Sequence, residues 1–475
     1  MALLLLGCGA RAQLAFESCT LETPGTAVST GAECARLEVA EDPQAPDGAQ
    51  LSLRIARVGA SRPRQRAADP LYFLAGGPGQ AATEAWPLLA PHLGEITRRR
   101  DVILVDQRGT GGSNRLDCPP PEDDLAFSTR FDAQLASRQA RDCYAALDAD
   151  PRHYGTARAA DDLESVRRAL GHGAVNLLGV SYGTRLAQVY LRRHPQSVRR
   201  LILDGVVPPS LVLGTEHAPS LERALARVFE RCAADSACSE AFGAPAQALA
   251  RLRARIARDE VERVALRLPR SGEAVQLEVS PEILAMALRL LSYAGETQAL
   301  VPLVLAEADA GRWQPLLSQA LLLLDGLQEQ LARGLELSVI CSEDLPFYPE
   351  NLDQADTLLG NLVVDALRAQ CAEWPVPAVD ASFHRPQRFS QPALLLSGEA
   401  DPVTPPAYGD AALEQFPQGA HWVVPGRGHG VLRHGCLARL AARFLDGADP
   451  RAIDTSCVDA VAASPFFVDL TGPAP

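Results

Sequence analysis

From about residue 50 to residue 210 the sequence alternates two hydrophobic rhythms. Short continuous apolar runs at 71–77 (LYFLAGG), 101–109 (DVILVDQRG), 175–181 (VNLLGVS) and 199–205 (RRLILDG) are bounded by Gly or Asp. That is the pattern of parallel strands buried on both faces. The intervening segments 81–93 and 157–171 read as helices; in the second, Leu163, Val166 and Leu170 recur at helical spacing and Gly171 supplies a stop. After Ser181 the positions Leu186, Val189 and Tyr190 form one apolar stripe, with Arg192, Arg193 and His194 in the last turn before Pro195. Strand–helix repetition of this kind predicts an α/β fold with a mostly parallel central sheet and helices on both faces.

The rhythm changes after Val206. As far as Gln387 the helical period dominates, in segments such as 220–235, 280–295 and 311–334, and no strand–helix alternation is apparent. Strand-like runs then resume at 392–401 and 420–430, followed by a helix around 436–447. A sheet interrupted after its fourth recognisable strand and completed about 180 residues later is a core carrying a large helical lid. The expected division is a leader at 1–12, a first core part at 13–210, the lid at 211–387, and a second core part at 388–475 with a disulfide-tied tail. The Pro/Asp-rich stretch 117–126 reads as a surface loop.

Composition narrows the class. A sequence of 475 residues, 47% of them hydrophobic, is long and apolar enough to bury a large core. All 45 basic residues are Arg, scattered or along amphipathic helices, and the net charge is −13, which opposes a phosphate backbone and excludes nucleic acid as a partner. The N-terminus, MALLLLGCGARAQLAF, runs an apolar stretch into a small-x-small pattern at Ala10–Ala12 without a basic start. It reads as a truncated secretory signal, or as a lipoprotein signal with Cys8 acylated. No later run approaches the ~18 apolar residues of a membrane span. Beyond Cys8, ten cysteines fall into neighbouring couples: Cys19 with Cys34, Cys118 with Cys143, Cys232 with Cys238, Cys341 with Cys371, Cys436 with Cys457. Sequential pairing is the simplest of many connectivities, and it points to a secreted or periplasmic protein; no spacing is a CxxC, so neither zinc nor a redox pair is implied.

The candidate chemistry centres on Ser181. A bare G-x-S-x-G is a weak signal, but here Gly179 and Gly183 flank the serine where a strand turns sharply into a helix, a setting that lifts a hydroxyl above the sheet. A serine is a feeble nucleophile unless a base takes its proton and an acid orients that base. At such an elbow the acid follows the serine and the histidine comes last. Asp401, just past the strand-like run in LLLSGEAD, fits the acid, with Glu399 as a rival; His429, in the glycine-rich VVPGRGHG, fits the base. The backbone N–H of Tyr182 supplies one oxyanion donor, and Gly77, in the FLAGGPGQ loop after an early strand, the second. Neither a metal-ligand spacing nor a dinucleotide fingerprint is present, so no cofactor is expected.

Five ordered motifs now make a resemblance: GGPG at 76–79, DQRGTGGS at 106–113, GVSYGTRLAQVYLRRHP at 179–195, SGEADPVTPP at 397–406, and GHG at 428–430. Together they resemble the prolyl and tripeptidyl aminopeptidase family of α/β-hydrolases, across roughly 70–210 and 390–440. The resemblance implies the α/β-hydrolase fold and a secreted serine exopeptidase acting on peptides with a free N-terminus. Prolyl iminopeptidases usually carry His before Gly-Gly-Pro-Gly and Trp after the nucleophile. Here Ala75 and Tyr182 stand there, so the tripeptidyl-type branch fits better. An exopeptidase must read an α-ammonium group, and Glu343 and Asp344, beside Cys341, are the carboxylates expected near the pocket mouth; a solvated acidic turn is the alternative. Asp106 and Arg108 are expected to brace loops. An esterase or lipase would use the same triad, whereas an inactive binding protein on this fold would require a lost triad member.

Overall fold

The computed structural model describes residues 14–119, 132–258 and 263–474. The leader at 1–12, Cys8 and most of the 117–126 loop lie outside the described residues. The centre is a nine-stranded sheet of β1 (Glu17–Glu22), β2 (Ser29–Ala40), β3 (Gln50–Val58), β4 (Leu71–Leu74), β5 (Val102–Val105), β6 (Val175–Val180), β7 (Val198–Asp204), and then, after a long insertion, two strands at Ala393–Gly398 and Ala420–Val424. The insertion holds β8 (Arg263–Arg267) and β9 (Ala274–Glu278), so the last two are β10 and β11. The spatial order is β1-β2-β3-β5-β4-β6-β7-β10-β11. From β5 to β11 all pairings are parallel, while β1, β2 and β3 extend one edge antiparallel.

Alternation along the strands divides the core into two layers. Leu71, Phe73, Leu178, Ile202, Leu394 and Leu396 pack on one face with Trp86 and the Leu437–Leu445 helix. Tyr72, Leu74, Leu177, Leu201, Leu203 and Leu395 pack on the other against the helices Thr156–Ala169 and Tyr182–Arg193, including the stripe of Leu186, Val189 and Tyr190. Both faces are covered, which is why these strands read as continuous apolar runs.

Between β7 and β10 lies a helical cap with its own apolar core, in which the helices His217–Ala234, Pro281–Leu291 and Gln314–Gln330 meet through Leu221, Leu225, Leu284, Leu288, Leu317 and Leu324. The cap is not wholly helical, because β8 and β9 form an antiparallel hairpin. Its alternating RVALR and AVQLE segments bury Val264, Leu266 and Leu277 on one side, a period of two short enough to be submerged in the surrounding helical pattern. Five disulfides form, each between sequence neighbours: Cys19–Cys34, Cys118–Cys143, Cys232–Cys238, Cys341–Cys371 and Cys436–Cys457. Disulfides in this number fit a protein that matures in an oxidising compartment. No described helix is long and apolar enough to cross a membrane.

Candidate active site

The polypeptide passes from β4 out to β5 and then back across to β6, so the sheet's winding reverses between β4 and β6. At such a switch point the loops after the two strands splay apart and leave a crevice at the carboxyl edge. Here those loops are Ala75–Gln80 and the turn at Ser181, and β4 and β6 pair up to Leu74 opposite Gly179.

Ser181 has φ 56° and ψ −126°, a conformation L-residues avoid and one that costs of order 1–3 kcal/mol. The flanking glycines make the turn possible by close approach. A Cβ on Gly179 would come within 2.4 Å of the Gly183 carbonyl oxygen, and one on Gly183 within 2.1 Å of the Leu74 oxygen. The elbow is held from below by β7, since Ser181 N donates to the Asp204 oxygen at 2.9 Å. Tyr182 opens the following helix, so its N–H has no intrahelical acceptor and is free to meet a ligand. Gly77, at φ 109°, sits in the β4 loop beside the elbow, and Gly77, Ser181 and Tyr182 line one cavity.

Asp401 follows β10 and His429 follows β11; His429 lines the same cavity, with Asp401 buried behind it. Asp401 is 2% exposed. It accepts hydrogen bonds from Val403 N and Thr404 N at 2.8 Å each, from Thr404 Oγ1 at 2.9 Å, and from His429 Nδ1 at 2.7 Å. With Nδ1 taken by the carboxylate, Nε2 is the nitrogen left for proton transfer. Burial alone would push the Asp401 carboxyl up, yet the imidazole and the N–H donors prevail and hold it below the usual range. Burial likewise pulls His429 down, but the Asp401 charge and hydrogen bond, with the Asp204 charge behind them, leave it raised. Glu399, the rival acid, is exposed and accepts Gly426 N at 2.9 Å instead.

Asp204 was not read from the sequence as part of the site. Its carboxylate, pushed up by burial, accepts Val431 N at 2.9 Å and Leu432 N at 2.8 Å, so one residue fastens both the elbow and the histidine loop. Its position at the end of a parallel strand was the available signal. The Ser181 hydroxyl makes no hydrogen bond with a described residue; Ser181 and His429 line the same cavity, and contacts between such groups tighten when substrate fills a site.

Glu343 and Asp344 do not stand at the pocket mouth. They are 1% and 0% exposed, and neither lines the cavity. Asp344 holds Arg185 through two bonds of 2.9 and 3.0 Å and accepts Leu213 N at 2.7 Å. Glu343 accepts Thr156 N at 2.6 Å and Thr156 Oγ1 at 2.7 Å, and burial raises its carboxyl to about 7. They clamp the cap's return helix, Arg333–Glu343, to the core helices, and cannot reach a substrate. Asp106 and Arg108 also brace loops: Asp106 accepts Thr83 N at 2.9 Å and Gly112 N at 3.0 Å, while Arg108 forks onto Asp162 at 2.6 and 2.7 Å. The carboxylate that does line the cavity is Glu336, about two helical turns before the clamp, paired with Arg333. The cavity itself holds about 310 Å³ under the cap, with apolar walls from Val207, Met286, Leu290, Leu324, Leu331 and Ile340.

A serine elbow at the switch point, with an imidazole–carboxylate pair in the loops after the last two strands of the sheet, is the arrangement of the α/β-hydrolase fold, and two family models agree on that fold. Residues 69–238 match the alpha/beta hydrolase fold and residues 357–457 match a TAP-like protein, so the chain carries the α/β-hydrolase fold with a TAP-like region toward its C-terminal end. The resemblance read from the five motifs is thereby borne out. Among curated relatives, the serine protease Hip1 of Mycobacterium tuberculosis is 28% identical over 271 residues, 50% of this chain and 51% of its own. The tripeptidyl aminopeptidase of Streptomyces lividans is 29% identical over 216 residues, 42% and 40% of the two chains. Carboxylesterase B of Mycobacterium tuberculosis is 32% identical over 244 residues, 48% and 46%. The chain thus spans about half or less of the length of the curated relatives it matches.

Proposed function

We propose that the protein is a serine exopeptidase that matures outside the cytoplasm and releases residues from free peptide N-termini. The observation that carries this reading is the 2.7 Å bond from His429 Nδ1 to Asp401 at the edge of the cavity that Ser181 enters. Ser181 Oγ bonds to the scissile carbonyl carbon while His429 Nε2 takes the hydroxyl proton. Negative charge on the carbonyl oxygen is met by the N–H groups of Tyr182 and Gly77, each donor contributing about 3 kcal/mol. The C–N bond then breaks as the imidazolium gives its proton to the leaving amine. Water, deprotonated by the same nitrogen, next cleaves the acyl–serine ester and restores the hydroxyl. Relatives named as a serine protease and a tripeptidyl aminopeptidase support the peptidase assignment. Glu336 takes the part of ammonium reader that Glu343 and Asp344 cannot play.

A carboxylesterase is the second reading. It is favoured by the mostly aliphatic cavity wall and by the relative named carboxylesterase B. Aminoacyl and tripeptidyl arylamides, compared with fatty-acyl nitrophenyl esters, separate the two. A peptidase turns over the arylamides, loses them on N-acetylation, and shows less of that discrimination in the E336Q variant. Turnover of the esters alone would replace the peptidase reading with the esterase one.

A further inference from the structure

Four arginines are buried among the described residues, and three of them are neutralised within the protein. Arg100, 3% exposed, meets Asp69 and Asp446; Arg108, 1% exposed, forks onto Asp162; Arg185, 2% exposed, forks onto Asp344. The fourth is Arg289, 7% exposed, on the cap helix Pro281–Leu291, where it lines the catalytic cavity. No described carboxylate lies within ion-pair distance of it. Its Nη2 donates to the Tyr293 hydroxyl at 3.3 Å, its guanidinium carbon stands 5.7 Å from the Tyr293 ring centre, and Nη1, shielded from solvent, has no partner.

A guanidinium withdrawn from water without a counter-charge costs several kcal/mol, and folded proteins avoid this unless a ligand supplies the missing partner. The neighbours sharpen the point. His217, which also lines the cavity, is held neutral by burial and by the Arg289 charge. The other cavity cation, Arg333, is already paired with Glu336. Arg289 is therefore the uncompensated charge of the cavity, in a protein whose net charge is −13. It also stands on the histidine's side: the Tyr293 carbonyl accepts His429 N at 2.7 Å, and the Tyr293 ring lies edge-on to the imidazole with centres 5.9 Å apart.

We propose that Arg289 is the binding partner of a substrate carboxylate, so that the enzyme selects short peptides presenting an anionic group beside the scissile bond. The carboxylate is either the peptide's own terminal carboxylate or that of an Asp or Glu residue. The planar fork of guanidinium donors suits both, and a charge-assisted pair of this kind excludes the uncharged analogue by leaving Arg289 orphaned. The proposal rests on the hydrolase reading for the orientation of the substrate, but its test does not depend on turnover.

The test is binding to the S181A variant, which holds peptides without cleaving them, measured by titration calorimetry. The probes are an alanine tripeptide with a free C-terminus, the same tripeptide amidated, and amidated tripeptides carrying Glu at each position in turn. The expected result is that at least one carboxylate-bearing peptide binds about tenfold to hundredfold tighter than the neutral amide. The ratio should fall to near one in S181A/R289Q and be partly kept in S181A/R289K. Preference for the free C-terminus identifies the terminal source, and preference for one Glu position identifies the acidic-residue source. Equal affinity for acid and amide, survival of the ratio in folded S181A/R289Q, or no binding of any acidic peptide overturns the proposal. Cleavage of the same peptides by the wild type is scored separately. Tight, Arg289-dependent binding in a protein whose wild type cleaves neither the arylamides nor the esters would sink the hydrolase reading and leave the carboxylate site standing.

Discussion

Two buried acidic centres stand around the elbow, and their sequence contexts looked equally promising. At Asp401 three N–H or O–H donors fix the carboxylate, and its remaining bond goes to an imidazole that lines the cavity. At Glu343 and Asp344 every strong partner is structural: Arg185, Thr156 and the Leu213 backbone. Both centres are fully buried, so burial does not distinguish them. What does is whether the last partner can change its protonation beside open space. A guanidinium cannot, and a buried imidazole at a cavity edge can. In the proposed mechanism the Asp401 centre moves a proton, whereas the Glu343–Asp344 centre holds a cap helix on the core.

The largest expected effect separates the centres by activity. S181A and H429A should each lower kcat by about 10^5- to 10^6-fold, and D401N by about 10^4-fold, with far-UV and thermal unfolding profiles retained. The clamp should respond in the opposite way. D344N removes the bidentate partner of buried Arg185 and leaves it only Glu343 at 3.8 Å, which should cost up to about 3–5 kcal/mol of stability, read by denaturant unfolding, while kcat/KM of the folded enzyme changes little. A comparable loss of kcat in D344N would merge the two centres into one functional unit.

Smaller effects come from titration. The Glu343 carboxyl is raised to about 7 by burial, from an ordinary value near 4.5. Between those values the folded protein binds more protons than the unfolded one, so this residue's contribution to stability declines as pH rises toward and through 7. E343Q should flatten that part of the stability profile, as followed by unfolding midpoints from pH 5 to 8. His429 titrates in the other centre. Its raised pKa means the imidazole is the protonated, inactive form at the acid end, so kcat/KM should fall as pH drops through a value above 6.5. Its pairing with Asp401 stabilises the fold most at low pH within the range where Asp401 is ionised, and that contribution fades as pH rises through the raised value. The residual activity of D401N should show an acid limb shifted downward.

What could be read in the sequence follows the range of the interactions. The parallel strands, the elbow and the late Asp401 and His429 were visible because local spacing imposes them: a continuous apolar run, glycines two residues either side of a serine, a carboxylate just past a strand. The misplacement of Glu343 and Asp344 came from tertiary context. CSEDLPF reads as an exposed acidic turn until Arg185, some 160 positions earlier, is known to pack beneath it. Arg289 and Glu336 were equally invisible, since each lies on an amphipathic cap helix where a charged residue ordinarily faces water. The antiparallel edge of β1 to β3 went unread for a related reason. Glu33 and Arg57 on one face, and Arg36, Glu38 and Arg54 on the other, interrupt those strands, so the long apolar run that marks a buried strand never forms.

The central claim is that Ser181 is a nucleophile activated by His429. Incubation with a fluorophosphonate followed by peptide mass mapping tests it most directly. The account predicts one adduct, on Ser181, formed in the wild type and slowed by orders of magnitude in H429A. An unmodified Ser181 in folded wild-type protein, or labelling that proceeds as fast without His429, would contradict it.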